Sequence, residues 1–308
     1  MRIQQLEYIE KIAETGSMNE AAKQLYISQP SLSQALKELE QEYQIQLFYR
    51  SKLGMTLTDE GRSFINYSHA ILDQVNLLDY TFKENKNRKQ IFSISAQHYA
   101  FVVHAFVELV RKIGGDEYDF TLRETLTQNT LNDVATFKSE LGIIYLNNFN
   151  QTVLRRLIQE KDLEFTPLFL AQPHVFVGRE NPLTKKKKIL LEDLSDYTYL
   201  SYEQGETNSF YFSEEILSTL ARKKHIKISD RATIFNLMVG LNGYTISSGV
   251  ISSELNDEKI VAIPLEVDEK MTLGYLKSKK ISLSATALYY LELLKEHIKN
   301  YGFKIIEN

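Results

Sequence analysis

The chain has 308 residues, 43% of them apolar and 25% charged, with a formal net charge of −4 and no cysteine. That length suits two or three domains with cores of their own, and the composition excludes wholesale disorder and collagen-like chains. The missing cysteines exclude disulfides, thiol nucleophiles, cysteine zinc sites and iron–sulfur clusters, no window holds the roughly 18 uncharged apolar residues of a bilayer span, and the first residues carry no apolar signal core, so a cytoplasmic protein is expected.

Residues 1–58 are dense in helical pattern. Leu6, Ile9, Ile12 and Ala13 share one helix face. After Gly16, Ser17 is placed as the N-cap of a second helix, with Glu20 completing a capping box and Ala21, Ala22 and Leu25 facing inward. Residues 26–30 make a tight connection. Ser28 or Gln29 caps a third helix, with Pro30 in its first turn, where no N–H is needed. Leu32, Ala35, Leu36 and Leu39 point inward there, leaving Ser31, Ser33, Gln34 and Lys37 outward. Residues 45–57 read as a wing-sized hairpin turning at 51–54. Thr58 caps a longer helix whose apolar positions Phe64, Ile71, Val75, Leu78 and Phe82 alternate spacings of four and three. That is the seam of a helix paired with a partner helix. An amphipathic helix resting on its own domain is the alternative. Ile65 and Leu72 form a short flanking stripe, and the positive run 83–90 is placed as the hinge between domains.

From there strands and helices alternate. Strands are predicted at 91–95, 120–124, 142–145, within 167–177, and at 199–202, 226–229, 244–246 and 273–276. Helices are predicted at 101–113, 131–138, 210–220, 232–241 and 284–301. Such alternation predicts a mostly parallel α/β sheet with right-handed crossovers.

The small pair Ala21-Ala22 lets a third helix cross closely, and short polar side chains on that helix suit a major groove about 12 Å wide. Here the run Leu6-Glu7-Tyr8, Gly16-Ser17-Met18, Ala21-Ala22, Leu25, Ser28-Gln29-Pro30-Ser31-Leu32-Ser33, Leu39-Glu40, Leu47-Phe48, Arg50, Gly54, Leu57-Thr58 and Gly61 resembles the winged helix-turn-helix of LysR-type transcriptional regulators. Length, linker helix and the following α/β region extend the resemblance over the whole chain. It implies an α/β protein with a DNA-binding domain at 1–58, a linker helix and hinge at 59–90, and a two-lobed, periplasmic-binding-protein-like effector domain at 91–308. Lobe I would take about 91–165 and 267–308, and lobe II about 166–266. It implies Ser28, Gln29, Ser31, Ser33, Gln34, Arg50 and Lys52 as DNA contacts, and a dimer, or tetramer, built on Phe64, Ile71, Val75, Leu78 and Phe82. Two positions depart from the family pattern. Gln44 stands where a helix-closing glycine is common, so the third helix is expected to end otherwise, as by running on. Gln34 stands where arginine is common, which favours an amide–adenine pairing over a guanine contact. Residues 1–62 carry seven basic and nine acidic side chains, so phosphate attraction must be local, with Arg50 and Lys52 in the wing as its best carriers.

Strand ends and helix N-termini of two such lobes converge on a ligand. Ala96, Gln97, His98 and Tyr99, then Thr125 and Thr127, then Glu203, Thr207 and Asn208, then Ser247 are the effector-binding expectation. Ordinary capping is the alternative for each, and surface or capping duty for His98. Glu203 or Glu206 would pair with an ammonium group, making an amino acid or acyl-amino acid the expected class. The stretches at 98–101, 202–206 and 240–244 are similar to Gram-positive regulators of cysteine and methionine metabolism, which adds sulfur metabolites. The expected partners are double-stranded DNA with a two-fold symmetric operator, a small-molecule effector, a second copy of the chain and RNA polymerase, with no membrane, cofactor or metal. A transport receptor on the same two-lobed fold would lack the helix-turn-helix. An enzyme finds no G-x-S-x-G, P-loop, G-x-G-x-x-G or H-E-x-x-H.

Overall fold

The computed structural model describes residues 1–51, 54–79, 90–115, 117–205, 209–251 and 259–306. The chain divides into two compact units, Met1–Lys89 and Gln90–Asn308.

The first unit is built from α1 (Ile3–Thr15), α2 (Met18–Gln24), α3 (Gln29–Tyr43), the antiparallel hairpin β1 (Phe48–Ser51) and β2 (Gly54–Leu57), and α4 (Asp59–Asp79). The caps fall where the sequence puts them. Ser17 accepts from the Glu20 amide, Ser28 from the Ser31 amide, and Thr58 from the Gly61 amide at 2.8 Å. Glu20 completes no box here; its carboxylate accepts from Gln24 Nε2 at 3.2 Å. Gln44 corrects the expectation of a helix running on: α3 stops at Tyr43, and Gln44 itself takes the left-handed conformation at φ 55°. An amide side chain is among the few that tolerate this region. Gly54 binds the wing to the helical core. Met55 N donates to Gly16 O at 2.8 Å, and a Cβ on Gly54 would lie 2.5 Å from that same carbonyl oxygen. Leu6, Ile9, Ile12, Ala21, Ala22, Leu32, Leu36, Leu39, Leu47 and Phe48 form the core, closed on one side by Ile65 and Leu72 of α4.

The second unit holds two five-stranded sheets. The first contains β3 (Gln90–Ala96), β4 (Tyr118–Glu124), β5 (Leu141–Leu146), β6 (Leu163–Ala171) and β12 (Met271–Ser278), in the order β4-β3-β5-β12-β6. The second contains β7 (His174–Gly178), β8 (Tyr199–Tyr202), β9 (His225–Ile228), β10 (Tyr244–Ser247) and β11 (Ile260–Pro264), in the order β11-β7-β10-β8-β9. Helices α5 (Ala100–Ile113), α6 (Thr127–Ala135), α7 (Gln151–Glu160), α8 (Arg231–Leu241) and α9 (Ala285–Asn300) complete the lobes.

Four expectations are corrected. The sheets are mixed and not mostly parallel, because the strands on either side of each crossing between lobes, β6, β7, β11 and β12, all pair antiparallel. β6 keeps the chain in the first sheet to Ala171 and β7 opens the second at His174, so the first crossing lies at 172–173 and not near 165. Helix α7 and strand β11 had no counterpart in the sequence reading. The helix expected at 210–220 is instead a 3-10 turn at Phe210–Phe212 followed by bends. The carbonyls of Phe212 and Ser213, which a helix would use internally, accept instead from the hydroxyls of Thr127 (2.7 Å) and Tyr145 (3.1 Å).

Candidate functional site

The first candidate surface is the outer face of α3 and the wing. Ser28, Gln29, Ser31, Gln34 and Arg50 are exposed, and Ser33 is half-buried. Ser28 Oγ lies 2.7 Å from Ser31 Oγ, and Gln34 Nε2 donates to Glu38 Oε1 at 3.0 Å. The face presents hydroxyls and side-chain amides, the groups that read base edges and hold phosphate. Lys52 lies outside the described residues. Sequence reasoning missed two aromatic neighbours, Tyr26, 96% exposed at the turn before α3, and Tyr49 on the wing, 57% exposed. Tyr26 is also left-handed at φ 55°. A large ring held wholly in water beside the reading helix was visible in the sequence only as a turn residue.

Along α4 the two stripes divide. Ile65, Ser68 and Leu72 are buried against the unit's own core, while Ile71 is 39% and Leu78 58% exposed. Val75 is half-buried. Phe64 departs from the expected seam, because its ring packs edge-on against Tyr43 at 5.1 Å and stays with its own domain. Phe82 and the hinge residues 83–89 lie outside the described residues.

The second candidate site lies between the two sheets of the second unit. A cavity of about 30 Å³ is lined by His98, Tyr202, Glu214, Glu215, Arg231, Thr245 and Ser247, among others. Two ion pairs tie the lobes across it. Glu214 accepts from His98 Nδ1 at 2.9 Å and from the His98 amide at 2.8 Å. Arg231 lies 3.2 Å from Glu124. The Tyr202 ring stacks on His98, with centroids 4.0 Å apart. Burial works against charge on His98, but the hydrogen bond and charge of Glu214 outweigh it and raise its pKa. Burial, reinforced by the neighbouring Glu214 charge, pushes Glu215 up to about 8. One Glu215 oxygen accepts from the Tyr202 amide at 2.8 Å. Its other oxygen, and the Thr245 hydroxyl, are buried without a hydrogen-bond partner.

Of the effector residues expected from the sequence, His98, Tyr99 and Ser247 line this cavity. Others turn inward. Ala96 is fully buried, paired in the sheet beside Ile143. Gln97, also fully buried, donates to Thr127 Oγ1 at 2.6 Å and accepts from the Tyr145 amide and the Tyr99 hydroxyl, each at 3.1 Å. With Thr127 also donating to Phe212 O, both side chains are engaged within the fold rather than at the cavity. Thr125 accepts from Asn129 at 3.2 Å, and Glu203 is exposed and absent from the lining. Glu206, Thr207 and Asn208 lie outside the described residues. Sequence reasoning missed Glu214, Glu215, Tyr202, Arg231 and Thr245. The available signal was an acidic pair in the run Phe212-Ser213-Glu214-Glu215-Ile216, close between two apolar residues.

Comparison with known proteins follows the same division. Residues 3–62 match the family model described as bacterial regulatory helix-turn-helix protein, lysR family. Residues 116–299 match the LysR substrate binding domain. The chain is similar to the HTH-type transcriptional regulator CzcR of Bacillus thuringiensis, 26% identical over 67% of this chain and 63% of that protein. It therefore spans a little under two thirds of that relative. It is also similar to the malolactic fermentation system transcriptional activator of Lactococcus lactis, 24% identical over 96% of this chain and 98% of that one. Among solved structures, full-length CbnR complexed with its target DNA has the same fold, with a TM-score of 0.51, 16% identity and coverage of 98% and 100% of the two chains. Among the described residues no helix is long and apolar enough to cross a membrane.

Proposed function

The chain belongs to the LysR family of bacterial regulators, and on that premise we propose that it is a sequence-specific DNA-binding transcriptional regulator, not an enzyme, controlled by a small-molecule effector. The observation that carries this reading is the exposed start of α3, where Ser28, Gln29 and Ser31 stand clear of a core that α3 otherwise fills with Leu32, Leu36 and Leu39. A helix placed that way offers its N-terminal side chains to a major groove. Gln29, Ser31, Ser33 and Gln34 read bases; Ser28, Arg50 and Lys52 hold phosphate, with Tyr26 and Tyr49 as added hydroxyl donors. The exposed Ile71 and Leu78, with Val75 and Phe82, make the contact to a second copy, which matches a two-fold symmetric operator. The protein works in the cytoplasm, where its DNA and RNA polymerase are.

The effector binds between the lobes, against His98, Tyr99 and Ser247 and the residues facing them, with Thr207 and Asn208 added on the sequence pattern alone. An amino acid or sulfur metabolite suits a cavity that carries both signs of charge. Membership of the cysteine and methionine branch is supported by the sequence stretches at 98–101, 202–206 and 240–244.

A salt series of operator binding tests the reading, since phosphate contacts give a linear fall of log K with log salt. Gln29→Ala is expected to cost about 1–3 kcal/mol on the cognate site and little on random DNA. Equal losses on both would remove the base-reading role.

A further inference from the structure

The carboxylates around the inter-lobe cavity outnumber its cations. His98 is paired with Glu214, and Arg231 with Glu124, so both positive groups are already committed. Glu215 is left over. It is 2% exposed, and one of its oxygens has no partner. Thr245 is 6% exposed, lines the same cavity, and its hydroxyl is likewise unpartnered. A buried acceptor left empty is costly, and two of them at one small cavity mark a place for a donor. The space, about 30 Å³, takes a small polar head such as a water or an ammonium group.

We propose that this cavity is a subsite for a protonated primary amine, whose ammonium group donates to the free oxygen of Glu215 and to the Thr245 hydroxyl. The proposal rests on the effector reading above and narrows it to an amine-bearing effector, recognised by its ammonium end. The rest of the ligand lies toward His98 and Ser247. A three-donor ammonium supplies both missing hydrogen bonds at once, and its charge pairs with the Glu215 carboxylate that forms as it binds.

The ionisable groups around Glu215 are Glu214 beside it, His98 and Arg231 in the same cavity lining, Tyr199 and Tyr202 of β8, Tyr145 of β5, and Tyr99 before α5. Burial holds all four tyrosines neutral, and His98 is held by its bond to Glu214, so the group that meets the ammonium, Glu215, is the one that gives up a proton to it. With the cavity empty Glu215 is protonated through neutral pH. An arriving cation expels that proton, so each bound amine releases one. Affinity then rises with pH, by up to about tenfold per unit, until the free carboxyl ionises. An anion accepting a hydrogen bond from the protonated acid would show the opposite slope.

The test uses the full-length protein and methylammonium chloride at about 50 mM, read by thermal shift and by calorimetry in buffers of different ionisation enthalpy. Methylammonium is expected to stabilise the protein, with release of one proton and a response that grows between about pH 6.5 and 7.5. Glu215→Gln is expected to weaken binding at least tenfold, and Thr245→Val about threefold to tenfold, both with operator binding intact. Stabilisation by acetate in place of methylammonium, a response that shrinks as pH rises, or wild-type binding by Glu215→Gln would overturn the proposal. Methylammonium binding by a protein that binds no operator would support the subsite and refute the regulatory reading alone.

Discussion

Gln97 is the residue for which sequence and structure lead to different experiments. Its position after β3 suggests a ligand contact, yet its side chain satisfies the Tyr145 amide and the Tyr99 hydroxyl and donates to Thr127, with no exposed surface. Truncation to alanine strands two buried donors. At about 1–3 kcal/mol for each, the loss is about 2–6 kcal/mol, less where a water enters the vacated space. For a unit of this size each kcal/mol moves the midpoint by about 2–4 °C, so Gln97→Ala is expected to lower Tm by roughly 4–24 °C. Gln97→Met separates causes, because it fills the volume and still strands both donors. Differential scanning calorimetry of the three proteins decides the matter. If Gln97→Met melts within about 2 °C of wild type, the network carries no weight and the assignment of Gln97 to the fold fails. Effector affinity in Gln97→Met, measured well below its Tm, is expected to stay near wild type.

Ile71→Glu with Leu78→Glu is expected to give monomers in sedimentation and to abolish operator binding while leaving helicity unchanged; a surviving dimer would place the interface elsewhere. Stability is expected to fall as pH rises from about 6.5 to 8. Both His98 and Glu215 have folded pKa values above their unfolded ones, so the native state holds more protons in that window. His297, lowered to about 4 chiefly by burial, acts in the opposite sense but only below 6.5. Glu215→Gln should flatten the decline, and an unchanged slope in thermal melts would remove Glu215 as its source.

Local rules made the first unit legible. Ser17, Ser28 and Pro30 are cap and first-turn signals that act through neighbours three residues away, and the apolar faces of α1 and α3 repeat at the helical period. Gln44 shows the limit of pattern reading, since a left-handed cap is accessible to an amide side chain and needs no glycine. The two stripes of α4 were both visible, but which of them meets the core depends on α1 and on Tyr43 in space. In the second unit the helix expected at 210–220 failed for a reason no local rule contains, namely that its carbonyls are bonded to Thr127 and Tyr145, 85 and 68 residues away in the chain. The same long-range closure hid the site. Glu214 and Glu215 fall inside the expected helix, where nothing local marks them as buried, and it is the bond of Glu214 to His98 of the other lobe that draws the segment inward. Strand β11 pairs as an edge strand, and its sequence carries too little alternation to announce it.

The segment around Phe212 has a further consequence for how the lobes separate. It lies in the chain between two strands of the second sheet, but Phe212 is buried with Leu131, Ile144, Leu154 and Leu276 of the first lobe. The lobes therefore share Phe212 at this edge, beside the continuous cluster in which Phe169 and Ala171 of the first lobe join Val175 and Tyr199 of the second, and widening the cleft here requires pulling an aromatic ring from its socket. Burial of such a side chain is worth roughly 1.5–3 kcal/mol, and the carbonyl bonds of Phe212 and Ser213 break with it. Opening is thus a partial unfolding event rather than a free swing about the crossing strands. Hydrogen exchange would find the amides of this turn and of the α6 start protected together and released together, at a free energy below that of either sheet.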